Sequence, residues 1–205
     1  MRAIDFINAH KVLVIPLVLG FMWYYDNWSM EAFIYLSLHG TYSLLWLLKG
    51  VTFPDRRFQA RLPGKIGFFF IFLPLAGYYV APYLLISRHA QLHPWVVGLT
   101  LSVFTLGIFL HYVGDAQKYY TLRLKPGLIE DGVFSRTRNP NYLGEILIYA
   151  SFAAASGHWI PWLIFATWMF VFFFKSMLRK DASLSRYPGF AAYRKRTGLL
   201  LPKLF

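Results

Sequence analysis

The chain has 205 residues, of which 57% are hydrophobic, 20% aromatic and 15% charged, a balance that excludes an ordinary soluble domain and implies a membrane protein. Twenty-one Lys and Arg against nine Asp and Glu give +12, which beside long apolar runs favours anionic lipid headgroups or an anionic small molecule over nucleic acid as the partner. Cysteine is absent, so disulfides, thiolate nucleophiles and Cys-ligated metals are excluded. Catalysis, if present, rests on oxygen, imidazole or amine groups, or on a bound cofactor.

Six apolar stretches are predicted as spans of one all-helical polytopic bundle: Val12 to Tyr25, Ala32 to Leu48, Ile66 to Ile86, Pro94 to Val113, Tyr142 to Gly157 and Trp159 to Met177. The first and fifth are short of a perpendicular crossing and need interfacial residues to extend them. The N-terminus carries Arg2, Asp5 and Lys11 and lacks a small-residue cleavage site, so it is expected to stay in the mature protein. Twenty of the 21 basic residues flank one side of these spans, and only Arg88 falls on the other. The positive-inside rule therefore predicts cytoplasmic termini and two long cytoplasmic loops. The chain reads as a single transmembrane domain, with 114–145 and 175–205 as a cytoplasmic cap.

In the second span Tyr35, His39, Tyr42 and Trp46 recur at helical spacing as one polar-aromatic stripe. Either these are hydrogen-bonded core residues, or Tyr42 or His39 is a proton donor to an apolar substrate. His89 and His93 have metal-compatible spacing but no carboxylate beside them, and no metal site is expected.

Chemistry concentrates after the fourth span. Asp115, Lys118, Tyr119 and Arg123 recur at roughly helical spacing as the span leaves the membrane, which a solvated helix end with paired charges also explains. Asn139 and Pro140 then spell a helix start, whose free amides beside Arg136 and Arg138 form an anion-binding arrangement, although arginines on lipid phosphate explain the same residues. Glu145 is harder to explain structurally, because a carboxylate one turn into an apolar span needs a partner. With Asn141 four residues earlier, it presents an amide and a carboxylate on one face, suited to the donors of an amide or a ribose. In the tail, Tyr187 and Tyr193 interleave with arginines, a pattern able to stack on a planar base while holding phosphate.

The segment Asp115 to Glu145, with Lys125-Pro-Gly, Gly132-Val-Phe and Arg138-Asn-Pro-Asn-Tyr-Leu-Gly-Glu145, resembles the steroid 5-alpha-reductase family and related sterol reductases. The tail, with Arg179, Tyr187-Pro188 and a closing Leu-Pro, is similar to the same family, so the likeness covers the C-terminal half. The resemblance implies NADPH as cofactor, contacted by Asp115, Asn141, Glu145, Arg179 and Tyr187, with Arg123 and Arg138 near its phosphates. It also implies reduction of a carbon-carbon double bond in a lipophilic substrate that enters from the bilayer, assisted by an acid, for which the stripe in the second span offers Tyr42 first and His39 second. A rival resemblance, carried by the Arg-x-Pro-x-Tyr-x-Gly helix start, is to membrane methyltransferases such as isoprenylcysteine carboxyl methyltransferase, which use S-adenosylmethionine. Those enzymes commonly carry adjacent glutamates after the last span, where this chain has Arg179-Lys180-Asp181. A basic pocket suits a dinucleotide better than a sulfonium cation, which favours the reductase. A noncatalytic lipid-binding protein is a third class, and it leaves Asn141 and Glu145 idle.

Overall fold

The computed structural model describes residues 1–203, without the side chain of Arg56, so the last two residues of the predicted cap lie outside the described residues. Among the described residues the architecture is all-helical, with short 3-10 turns at Arg56–Gln59, Gly77–Tyr79 and Gly132–Phe134 and no strand beyond two isolated bridges. In chain order the helices are α1 (Ala3–Tyr24), α2 (Met30–Thr52), α3 (Gly64–Ser87), α4 (Pro94–Leu124), α5 (Pro140–Ala155), α6 (Ile160–Leu184) and α7 (Phe190–Arg196). A π-turn interrupts α3 at Phe68–Phe72 and another interrupts α6 at Met169–Phe174.

Four helices, α1, α3, α4 and α6, are long and apolar enough to cross a membrane. Their outward side chains fit that role: Phe70 on α3, Leu106 and Phe109 on α4 and Phe170 on α6 are all exposed, which water would penalise and lipid would not. Two of the six predicted spans fall short of that criterion. Helix α2 has the length, at 23 residues, but its middle is the polar run His39-Gly-Thr-Tyr-Ser43. Helix α5, at 16 residues, is shorter than the roughly 20 that a perpendicular crossing takes.

Helix α1 starts at Ala3 rather than Val12, because Asp5 accepts from the Arg2 backbone amide at 2.7 Å and closes the first turn. This earlier start moves Lys11, read from the sequence as a cytoplasmic flank, into the helix, where it is 2% exposed. Ser29 caps α2 by accepting from the Ala32 amide, and the α5 start predicted at Pro140 is where that helix begins.

The chain divides into two compact units. Unit 1 comprises 1–102 and 150–164, and unit 2 comprises 103–149 and 165–205. In unit 1, Phe6, Ile7, His10, Val14, Val18 and Met22 of α1 and Tyr35, Leu38, His39, Tyr42 and Trp46 of α2 are buried at helical spacing. A Cβ added at Gly40 would meet the Ile15 side chain at 3.3 Å, so α1 and α2 pack closely there. In unit 2, α4 and α5 meet backbone to backbone. A Cβ at Gly144 would run into the His111 amide and the Gly107 carbonyl, and one at Gly107 would meet the Gly144 carbonyl at 2.8 Å. Small residues on facing helices are the usual means of such approach within a membrane.

Candidate functional site in the second unit

The close crossing of α4 and α5 sets the geometry of a buried polar group. Gly114 lies against the backbone of Asn141, and the adjacent Asp115 accepts from Asn141 Nδ2 at 2.8 Å. His111, one turn earlier on α4, donates through Nδ1 to the Asn141 backbone carbonyl at 3.2 Å, and its Nε2 stands 3.9 Å from Asp115 Oδ2. All three residues are buried. Asn141 Oδ1 is buried as well and has no hydrogen-bond partner in the protein, so a good acceptor is held in place by its own amide with nothing to accept from. Half-buried Glu145 lies one turn further along α5, and Tyr112 is within electrostatic reach of both Glu145 and Asp115. Three residues proposed from the sequence, Asp115, Asn141 and Glu145, therefore belong to one crossing. His111 and Tyr112 complete it, and their signal was the same helical spacing that marks Asp115.

The start of α5 differs from the open anion site that the sequence suggests. Thr137, Arg138 and Asn139 are all buried, and the C-terminal tail lies against them. The Arg138 amide donates to the Gly198 carbonyl at 2.9 Å and the Gly198 amide to the Arg136 carbonyl at 3.0 Å. Thr137 Oγ1 donates to the Leu200 carbonyl and Asn139 Nδ2 to the Leu199 carbonyl, each at 2.8 Å. Arg138, expected near cofactor phosphates, instead directs Nε to both oxygens of Asp181, at 2.9 and 3.1 Å, and Nη1 to the Thr197 carbonyl at 2.7 Å. Its donors fasten α6 and the tail to the head of α5. Lys180 Nζ donates to the Arg138 carbonyl at 2.8 Å, and Arg196 pairs with Glu130.

Tyr193, read as a candidate stacking platform, is a buried strut in the same latch: its hydroxyl donates to the Phe134 carbonyl at 2.8 Å. Burial pushes its phenol up to about 12, outweighing the lowering effect of nearby Arg138.

The remaining proposed cofactor residues of unit 2 have other surroundings. Arg123 is exposed and bonds the Tyr119 hydroxyl at 2.9 Å on its own helix, and Arg179 is exposed on α6. Tyr187 lines a groove of about 620 Å³ together with Phe190, Arg194 and Lys195. The Arg186 guanidinium sits 5.0 Å from the Tyr187 ring, so the pairing of aromatic and cation read from the sequence is present at that position.

The two proposed acids belong to unit 1. Tyr42 and His39 are fully buried, and both pack on Phe152, with His39 stacked at 4.3 Å. The Tyr35 hydroxyl lies 3.3 Å from His39 Nδ1, while His39 Nε2 is buried with no hydrogen-bond partner in the protein.

The sequence profile of the DUF1295 family, described as a protein of unknown function, matches residues 3–197. The chain belongs to the DUF1295 family. The matched stretch takes in α1 to α7, so the α4–α5 crossing and the Arg138–Asp181 pair lie within the family's shared region, whereas the tail contacts of Gly198, Leu199 and Leu200 lie just beyond it. An uncharacterized Schizosaccharomyces pombe protein, C594.04c, is 36% identical to this DUF1295 chain over 94 residues, covering 42% of this chain and 27% of that protein.

Proposed function

We propose that this multi-pass membrane protein is a reductase that binds NADPH in its second unit and reduces a carbon-carbon double bond in a lipophilic, steroid- or enone-lipid-like substrate entering from the bilayer. The observation that carries the reading is Asn141, whose Oδ1 is fixed by the bond from Nδ2 to Asp115 and left to accept from a ligand. A primary carboxamide or a ribose hydroxyl supplies the donor this acceptor lacks, and Glu145 one turn away accepts a second. Exposed Arg123, Arg136 and Arg179 on the same unit supply positive charge suited to phosphates.

When bound, the dinucleotide would supply hydride. The protein's part is to orient it through Asn141, Asp115 and Glu145, to exclude water by burying that crossing, and to provide an acid. Tyr42 is the first choice for the acid and His39 the second. Six crossings, with α2 and α5 joining the four long helices, and cytoplasmic termini complete this reading.

The methyltransferase alternative needs carboxylates after the last predicted span, which ends at Met177, for the cofactor's amino group. Asp181, the one carboxylate there, is already taken by Arg138, which weighs against that reading. The deciding experiment is thermal stabilisation of the detergent-purified chain by NADPH, NADP, NADH and S-adenosylmethionine in parallel, since a ligand that binds only the folded state raises its apparent stability. A response to NADPH with loss of that response in Asn141→Ala supports the reductase. A response to S-adenosylmethionine alone overturns it.

A further inference from the structure

Three segments of unit 1 meet around a polar cavity of about 160 Å³. Its wall includes Arg2 from α1, Lys49, Gly50 and Val51 from the end of α2, and Asp55 and Gln59 from the connection between α2 and α3. The volume is several times what one water needs, so the cavity takes a larger polar group.

The connection is tied to the N-terminus on both sides of this cavity. The Ala3 amide donates to the Ala60 carbonyl and the Leu62 amide to the Met1 carbonyl, each at 3.0 Å. Arg2 Nη1 donates to Gln59 Oε1 at 3.1 Å, and the indole of Trp46, also in the wall, donates to Asn8 Oδ1 at 3.2 Å. These bonds set the starts of α1 and α3 side by side. Both helices are long and apolar enough to cross a membrane, so the cavity lies at the end of two spans, the depth that lipid headgroups occupy.

Charge at this end favours an anion. The stretch 49–65 carries five Lys and Arg and one carboxylate, Asp55, whose two oxygens accept from Arg57 Nε at 3.1 and 2.9 Å. Lys49 is 5% exposed, and its Nζ lies 4.8 Å from the centre of the Trp46 ring, so its charge stands in the cavity wall away from bulk water. Positive groups in that setting attract phosphate oxygens more strongly than exposed ones do.

An apolar strip leads away from the same cavity. Leu44, Leu48 and Val51 share one face of α2 and are 57%, 58% and 83% exposed. Val51 also lines the cavity, so the strip reaches its edge. Water would penalise such a strip and an acyl chain would cover it. A phosphoryl group in the cavity and an acyl chain on the strip are parts of one kind of molecule.

We propose that this cavity binds the phosphoryl headgroup of an anionic phospholipid, with an acyl chain laid along Leu44, Leu48 and Val51. A soluble phosphate ester shares the headgroup chemistry but leaves the strip uncovered. Every lining residue belongs to unit 1, so the site does not depend on the nucleotide reading of unit 2.

The test titrates the full chain in detergent with three probes, dioleoylphosphatidylglycerol, dioleoylglycerol and glycerol 3-phosphate, and reads bound lipid by native mass spectrometry and stabilisation by melting temperature. Lys49→Met removes the buried ammonium. Gly50→Glu sets a carboxylate in the cavity wall at a position where an added Cβ meets nothing within 4 Å, so it serves if Lys49→Met does not fold. Gly50→Ala and Lys65→Gln are controls, the latter an exposed basic residue of the same stretch that does not line the cavity. The expected result is binding of the phosphatidylglycerol that weakens at least about tenfold in Lys49→Met and Gly50→Glu and is kept in both controls. Dioleoylglycerol, with the same chains and no phosphoryl group, is expected not to bind at this site. Glycerol 3-phosphate binding as tightly as the lipid overturns the lipid assignment in favour of a soluble ester. Equal weakening in Lys65→Gln and Lys49→Met shows diffuse surface charge and overturns the site, as does equal binding of the two dioleoyl probes.

Discussion

Asn141 donates to Asp115 at 2.8 Å across the closest approach of α4 and α5, and this single bond decides which way the Asn141 carboxamide faces. With Nδ2 committed to the carboxylate, Oδ1 is the end that has no hydrogen-bond partner in the protein, and in the proposed reading it accepts from the nucleotide. Asp115→Ala removes the acceptor and leaves a buried amide without a partner, a loss of about 1–3 kcal/mol. The same change frees the carboxamide to rotate, so stabilisation by NADPH is expected to fall further than the melting temperature alone explains. Paired melting curves with and without nucleotide check this, and an unchanged NADPH response in Asp115→Ala sinks the assignment.

Arg138 is buried and its ion-pair partner Asp181 is half-buried, so loss of the carboxylate leaves the buried guanidinium without its counter-charge. Removing one partner of such a pair typically costs about 3–5 kcal/mol, because the other is left charged and buried. Asp181→Asn is expected to lower the melting temperature and to expose the chain beyond Leu184 to protease. Arg138→Lys does not rescue, since a lysine lacks the fork that reaches Asp181 and Thr197 together. Limited proteolysis of the variants reads the effect directly.

Gly144→Ala places a methyl group against the backbone of His111 and Gly107. Backbone cannot rotate aside as a side chain does, so the helices must separate, at a cost of about 3 kcal/mol. Gly20, with nothing near its missing Cβ, is the control: Gly20→Ala is expected to be neutral or slightly stabilising. Equal melting temperatures for the two variants would contradict the close crossing.

Tyr193 ties the latch to alkaline pH. Its folded-state pKa, pushed up to about 12 by burial, lies above the ordinary phenol value of 10.0. A group whose pKa is raised on folding contributes nothing unfavourable below its unfolded pKa and costs stability as pH rises toward the folded value. Stability is therefore expected to fall between pH 10 and about 12, with a shallower fall in Tyr193→Phe. That variant also loses the bond to the Phe134 carbonyl, worth about 1 kcal/mol at neutral pH. Urea unfolding at pH 8 and at pH 11 separates the two effects.

Because the chain contains no cysteine, sidedness can be read by single-cysteine labelling without a background. Exposed Gln91 and Ser183 are suitable positions. In sealed vesicles the proposed topology puts Ser183→Cys on the cytoplasmic side and Gln91→Cys on the other, and labelling of both from one side refutes it.

The sequence by itself determined the helical membrane class, since long apolar stretches with so few charges have no soluble alternative. It also located the start of α5, because Asn-Pro is a local signal that needs no tertiary partner. Helical spacing singled out Asp115, Asn141 and Glu145 on their two helices, and that information is one-dimensional too. Tertiary structure decided what those residues face. The bond between Asp115 and Asn141 depends on Gly107, Gly114 and Gly144 letting two backbones approach, and no spacing rule reveals which glycines do so. The commitment of Arg138 to Asp181 joins residues 43 positions apart, which turned an expected phosphate contact into a latch. Lys11 shows the same limit: its charge placed it at a membrane flank, and only the path of α1 against Tyr42 and Trp46 placed it in the interior.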